Sequence, residues 1–236
     1  MEAHPFQVSP VVLFEDAHVL ALAKPAGMLT QGFAGGEPTL EDAARAHLGP
    51  ENPGRVHLGT VHRLDRPVSG VVLWAKTAKA ARRLAKQFEE GRTTKEYAAI
   101  VEVGPGAEVP GVGVETIWED WLTEKTDARG VVRVVAPETP GARRALTRVR
   151  REAPPPGDWE GLAWLPLWPR TGRTHQLRAQ ASRRGLPVWG DVAYGSGRPF
   201  PVGIALHARS ITFDHPTLAR PTTIVCPWPD SWGLKE

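Results

Sequence analysis

Cysteine is almost missing from this chain: Cys226 stands alone among 236 residues. An intrachain disulfide is therefore impossible, and a zinc site built on paired cysteines, as in the zinc-dependent base deaminases, is excluded. Long apolar runs are missing too. None approaches the ~18 to 20 residues that a membrane span requires, and the first residues, with His4, Pro5 and Gln7, lack a signal peptide's basic start and apolar middle. A cytoplasmic protein without membrane contact is the expectation. Tyrosine is scarce, with only Tyr97 and Tyr194 present, and lysine nearly vanishes after residue 140, where Lys235 is the only one. Arginine takes its place. Residues 1–140 carry 15 Lys/Arg against 19 Asp/Glu, net −4, whereas residues 141–236 carry 14 against 7, net +7. The planar guanidinium grips phosphate and stacks on bases, so the asymmetry points to an anionic partner such as nucleic acid. A GC-rich coding sequence would produce the same bias, so composition alone does not decide. Hydrophobic residues make up 41% of the chain, enough for a sizeable core in one large domain or two small ones.

The chain is organised around residues 61–75, Val-His-Arg-Leu-Asp-Arg-Pro-Val-Ser-Gly-Val-Val-Leu-Trp-Ala. His62, Arg63, Asp65, Arg66, Ser69 and Gly70 form a charged turn, and Val71 to Ala75 a β-rich run, so the turn sits at the mouth of a strand. Pro67 lacks an N–H and biases Arg66 away from helix, while Gly70 admits conformations closed to other residues. A carboxylate flanked by two arginines and a histidine favours its ionised form.

Extended by Lys76 and Thr77, this string resembles the signature of the RluA family of RNA pseudouridine synthases, His-Arg-Leu-Asp-x-x-Thr-Ser-Gly followed by an apolar strand and Ala-Lys-Thr. The departure is Val68, which stands where the family usually has Thr and puts a loop hydrogen bond in question. A sister family usually has Gly at the position of His62. Lys95-x-Tyr97-x-Ala99 matches a second family motif. Arg170-Thr171-Gly172-Arg173-Thr174-His175-Gln176-Leu177-Arg178 resembles a third, R-T-G-R-x-H-Q-L/I-R. Lys24-Pro25-Ala26-Gly27, Gly190-Asp191-Val192-Ala193-Tyr194-Gly195 and Leu206 to Phe213 complete the resemblance, which covers roughly residues 11–228.

Short apolar runs at 11–14 and 19–23 read as a β-hairpin that Pro25 and Gly27 end. Thr39 caps a helix that continues to Gly49, and a polar loop, 49–55, leads to the central turn. Thr77 opens a second helix, with Ala80, Ala81, Leu84, Ala85 and Phe88 expected in the core and Gly91 as the stop. Lys79, Arg82, Arg83 and Lys86 read as its solvated face. Thr94 to Val103 reads as a strand. The stretch 104–160 is the least readable: strands are expected over 130–136 and 145–151, and Pro154-Pro155-Pro156-Gly157 marks a loop. Arg148 and Arg150 share one strand face, either along an RNA backbone or simply in solvent. Thr174 is the expected cap of a third helix running towards Arg184, ended by Gly185 and Pro187. Arg173 ahead of that helix places a positive charge at the positive end of the dipole, against local preference, which suggests function.

The resemblance implies an α+β fold, a bent, mainly antiparallel mixed sheet flanked by helices around an RNA-binding cleft. Composition and pattern alone support only a mixture of α and β. It implies a single catalytic domain over 1–236 without a separate S4-type RNA-binding domain, acting as a monomer on large-subunit ribosomal RNA or tRNA. Asp65 is the implied catalytic carboxylate. Tyr97 is implied beside the target base, where stacking is worth ~1 to 3 kcal/mol, and Arg173 is expected to pair with Asp65 and keep it charged. His62, Arg63, Arg66, His175, Gln176 and Arg178 are the expected substrate-binding residues, the last three more for bracing or phosphate contact than for chemistry. Arg63 is placed to fill the stack vacated by a flipped base. Isomerisation needs no redox step, so neither cofactor nor metal is expected. A glycoside or nucleoside hydrolase would use a second carboxylate at a defined separation, and no comparable acidic turn exists. A non-catalytic RNA-binding module on the same scaffold is the remaining alternative.

Overall fold

The described residues, 10–234 apart from 33–35, 52, 53, 55, 156, 158 and 219, form eleven strands and three α-helices in this computed structural model. Asn52, Pro53 and Arg55 of the polar loop, Pro156 of the proline run, His4, Pro5, Gln7 and Lys235 lie outside them. Among the described residues no helix is long and apolar enough to cross a membrane. The chain divides into two compact units, one of residues up to Thr93 with Ser210–Pro227, the other of Thr94–Arg209 with the residues from Trp228 on.

In the first unit, β1 (Val11–Glu15) and β2 (Val19–Lys24) form the expected hairpin. Its turn is made by Asp16, whose Oδ1 accepts from the amides of His18 and Val19 at 2.7 and 2.8 Å. A two-residue strand, β3 (Gly59–Thr60), and β2 both pair antiparallel with β4 (Ser69–Ala75). Every residue of β4 is buried, which is why it reads as an unbroken apolar run rather than an alternation.

Helix α1 (Leu40–Leu48) begins in a capping box: Thr39 accepts from the Asp42 amide, and the Asp42 carboxylate accepts from the Thr39 amide. Helix α2 (Ala78–Glu89) is capped by Thr77 as expected. Its inward stripe differs from the expected one. Ala80 and Leu84 are buried, but Ala85 is exposed and Gln87 is buried. Spacing of four, then three, keeps positions 80, 84 and 87 on one face, and the Gln87 amide is satisfied there by donating to the Asp214 carbonyl and accepting from the Asp214 amide.

In the second unit, β5 (Thr94–Glu102), β9 (Leu162–Pro169), β8 (Arg143–Arg150), β6 (Glu115–Leu122) and β7 (Val134–Val135) lie side by side in that order, each pair antiparallel. The α+β expectation holds. Strand β6 was not expected, and β7 is far shorter than the stretch 130–136. The inward positions of β6 are Trp118, Asp120 and Leu122; a buried aspartate breaks the apolar alternation that marks a strand. Asp120 is matched by Arg184 at 2.8 Å and Gln180 at 2.8 Å. Strand β10 (Leu206–Asp214) starts in this unit and ends in the first, where it pairs with β11 (Pro221–Val225).

Helix α3 (Gln176–Arg183) covers one face of this unit's sheet. It buries three polar side chains, Gln176, Arg178 and Gln180, beside Leu177, Ala179 and Ala181. Gln176 Nε2 donates to Thr147 Oγ1 at 2.8 Å, and Thr147 donates to Gln180 Oε1 at 2.6 Å. Such matching removes the penalty of burying amides. The expected stop at Gly185 is present: φ of +69° there lets the Gly185 and Leu186 amides donate back to Ser182 and Ala181. Elsewhere in the unit, Trp228 stacks on Trp232, and Trp164 meets both edge-on.

Candidate active site

The first unit presents Asp65 in a turn closed by the Val68 amide donating to the Asp65 carbonyl at 3.1 Å. Val68 is buried, so the turn is held by its backbone at the position where a threonine hydroxyl was missing. Residues 24–30 grip the same turn from the side. The Leu64 amide donates to Thr30 Oγ1 at 3.1 Å while the Thr30 hydroxyl donates to the Leu64 carbonyl at 2.8 Å. Arg66 and Gly27 exchange two bonds: the Gly27 amide donates to the Arg66 carbonyl and Arg66 Nε to the Gly27 carbonyl. Gly27 has φ +87°, a conformation that side chains resist.

Beneath the turn lies a residue that motif reading did not single out for the site. Lys24 is 1% exposed, and its Nζ donates to three main-chain carbonyls, Met28 at 2.6 Å, Pro25 at 3.0 Å and Arg66 at 3.1 Å. Burial lowers its pKa to about 7; the Asp65 carboxylate pulls against that drop and the Arg66 guanidinium adds to it. Nothing local in the sequence marks it, because a lysine at the end of a strand ordinarily carries its ammonium out to water.

The expected site residues here divide by what already engages them. The Leu73 amide donates to His62 Nε2 at 2.9 Å, and the His62 ring stacks on Phe88 with centroids 5.0 Å apart. That places His62 as a brace between turn and strand. Arg66 is spent on Gly27 and on Glu37, whose carboxylate lies 2.7 Å away. Arg63 is exposed and, among the described residues, makes no side-chain hydrogen bond or ion pair.

In the second unit, Tyr97 on β5 is half-buried and pairs in register with Leu167 of β9, which pairs with Val149 of β8. Thr147, two residues from Val149, shares their face, so Tyr97 stands on the side of the sheet that α3 covers. The loop 170–175 leaves β9 there. Arg173 is exposed, with Nε donating to the Arg144 carbonyl at 3.0 Å. Thr174 is not the helix cap. His175 takes that position with φ +51°, the single non-glycine residue with positive φ among those described, and caps without a side-chain bond. Such a backbone is strained for histidine and marks a constrained site. It is held from below: His175 Nδ1 is 3.0 Å from Tyr194 Oη, and that hydroxyl also accepts from the Val132 amide. Gln176 accepts from the Arg173 amide and the Thr171 hydroxyl. Arg178 is buried in a two-point ion pair with Asp191, at 2.7 and 2.9 Å, and covers the Tyr194 ring. Gln176 therefore braces the loop, and Arg178 is committed to Asp191.

The arginine-rich strand β8 resolves differently from an RNA track. Arg148 pairs in register with Trp168 and Ile117, which puts it on the face away from Tyr97. Arg144 is 2.7 Å from Glu119, Arg148 is 2.7 Å from Glu115, Arg143 is 2.7 Å from Glu124, and Arg150 pairs with Glu152. Arg144, Arg148 and Arg150, which share that face, form a charge-neutralised ladder, and Arg143, at the opposite parity, is neutralised as well. Among the described residues no group of three or more His, Cys, Asp or Glu lies close enough together to hold a metal ion.

Residues 18–183 match the family described as RNA pseudouridylate synthase. The dual-specificity RNA pseudouridine synthase RluA of Vibrio vulnificus is 32% identical over 207 residues, which cover 87% of this chain and 78% of that protein. The ribosomal large subunit pseudouridine synthase D of Xylella fastidiosa is 30% identical over 244 residues, covering 97% of this chain and 69% of that protein. The solved structure of human RNA pseudouridylate synthase domain containing 1 is similar in fold, with a TM-score of 0.71 at 23% identity over 96% of this chain and 87% of that one.

Proposed function

Since the chain belongs to the RNA pseudouridylate synthase family, we propose that it isomerises a uridine of ribosomal RNA or tRNA to pseudouridine with Asp65 as the catalytic carboxylate. The reaction breaks the bond from uracil N1 to ribose C1′, turns the base and joins C5 to C1′. The proton lost from C5 balances the one gained at N1, so no oxidant or energy source enters. What the protein must supply is an acid kept charged and fixed, and a surface that retains the detached uracil.

The observation that carries the reading is the fixing of Asp65: the main chain of its turn is tied to the Lys24 and Thr30 side chains and to the Gly27 amide, and it continues directly into the fully buried β4. A carboxylate held this way loses little freedom when it meets its target. Tyr97, standing on a sheet face packed by α3, is the proposed platform for the base, and Arg173 the proposed partner of the acid. Arg63, exposed and without a partner among the described residues, is the proposed occupant of the stack left by the flipped nucleotide. The reading carries with it a monomer acting in the cytoplasm, and 236 residues acting as one catalytic domain.

The test is release of tritium from RNA labelled at uridine C5. The wild type is expected to release it, and Asp65→Asn to release none while binding RNA as before. Undiminished release by Asp65→Asn, or liberation of free uracil by the wild type, would overturn the proposal.

A further inference from the structure

Among the cations of the second unit, Lys95 stands apart. It lies two residues before Tyr97 on β5, so the two side chains leave the same sheet face. It is half-buried, yet among the described residues it makes no hydrogen bond or ion pair. Its Nζ sits against the loop that leaves β9: a methyl group added at Gly172 would lie 3.8 Å from it. On either side of Gly172 are Arg170, whose side chain is likewise without a partner, and Arg173, which spends only Nε, on a neutral carbonyl. The contrast with β8 is chemical. There each arginine has its glutamate; here, among the described residues, Lys95 has none.

A half-buried ammonium without a counter-charge loses hydration and gains no partner in exchange, and burial lowers the Lys95 pKa. An anion relieves both. We propose that Lys95 binds a backbone phosphate of the RNA beside the reacting nucleotide, an assignment that rests on the proposed function. A phosphate held here places the nucleotide next to it over Tyr97, so Lys95 is a substrate-binding residue rather than a catalytic one.

The experiment compares wild type, Lys95→Met and Lys95→Arg for binding of a uridine dodecamer at several salt concentrations. Each lost phosphate contact lowers the slope of log affinity against log salt by about 0.7 for a single strand. Lys95→Met is expected to lose that increment, Lys95→Arg to keep it, and Lys95→Met to melt no lower than wild type because a buried charge has been removed. Equal slopes for wild type and Lys95→Met, or a lower melting temperature for Lys95→Met, overturn the assignment. Tritium release by the wild type, measured in parallel on C5-labelled bulk ribosomal RNA and tRNA, separates the two readings: without it the function fails while a slope difference still stands.

Discussion

The Lys24 ammonium donates to the main-chain carbonyl of Arg66 at 3.1 Å, across 42 positions of sequence and next in the chain to Asp65. Two stretches that look independent in sequence, the Lys-Pro-Ala-Gly after the first hairpin and the charged turn, are thereby one structural piece. The charge on Lys24 is part of the scaffold of the acid, and its protonation has consequences for stability.

Burial brings the Lys24 pKa to about 7 from an ordinary 10.5. Below pH 7 the folded and unfolded chains both carry the proton, and the fold bears the full penalty of a buried charge. Between 7 and 10.5 the unfolded chain binds more protons than the folded one, so stability rises with pH, by about 1.4 kcal/mol per unit at most. Urea unfolding of wild type and Lys24→Met at pH 6, 7, 8 and 9 should therefore show wild type gaining on the variant above pH 7. Parallel curves for the two proteins would rule this out. The neutral amine has two donors for three carbonyls, so turnover should fall over the range in which stability rises.

Thr30 and Leu64 offer a cleaner cut at the same support. The pair is buried and reciprocal, and Thr30→Val keeps the shape while stranding one backbone donor and one acceptor. Each stranded group costs about 1–3 kcal/mol. The melting temperature should drop by several degrees, and turnover should fall more than RNA affinity, because the residue after Leu64 is the acid. An unchanged melting temperature would show that water replaces both bonds.

The turn, the three helices and most strands were legible because their signals are local: Thr39 and Thr77 are caps, Gly185 is a stop, and Val71 to Ala75 is a run. What escaped was held by distant partners. Asp120 hides the alternation of β6 because its matching groups, Arg184 and Gln180, lie on a helix some sixty residues on. Lys24 reads as the end of a hairpin because the carbonyl of Arg66 is invisible in its surroundings. His175 displaced Thr174 as the helix cap because Tyr194, far along the chain, secures the ring. The acid, the tyrosine and the arginine were found through family motifs, and no periodicity would have found them.

Ion pairing sorts the arginines into two classes with different fates. Arg148 is held by Glu115 and lies 4.0 Å above the Trp168 ring, whereas Arg63 is uncommitted among the described residues. Arg63→Ala should weaken binding of bulk tRNA or ribosomal RNA about tenfold and suppress turnover. Arg148→Ala should leave the salt dependence of binding where it was. Filter binding across a salt series measures both, and a loss of slope in Arg148→Ala would mean that the ladder opens to meet RNA.

The last case concerns how the loop bearing Arg173 is held. Arg178 and Asp191 are 8% and 2% exposed at their side chains, so removing one charge strands the other in a medium that solvates it poorly. Breaking such a pair is destabilising by about 3–5 kcal/mol, whereas replacing both partners with apolar groups is often near neutral. Asp191→Ala alone should lower the melting temperature strongly, and Arg178→Met with Asp191→Ala should recover much of it. Activity should not follow. The guanidinium carbon lies 4.7 Å above the Tyr194 ring, whose hydroxyl secures His175 in its strained conformation, and a flexible methionine does not fix that ring as firmly. The double variant should therefore melt near wild type and still turn over slowly, with kcat reduced more than KM is raised. Recovery of stability and activity together would show that the pair serves folding alone and that His175 keeps its place without it.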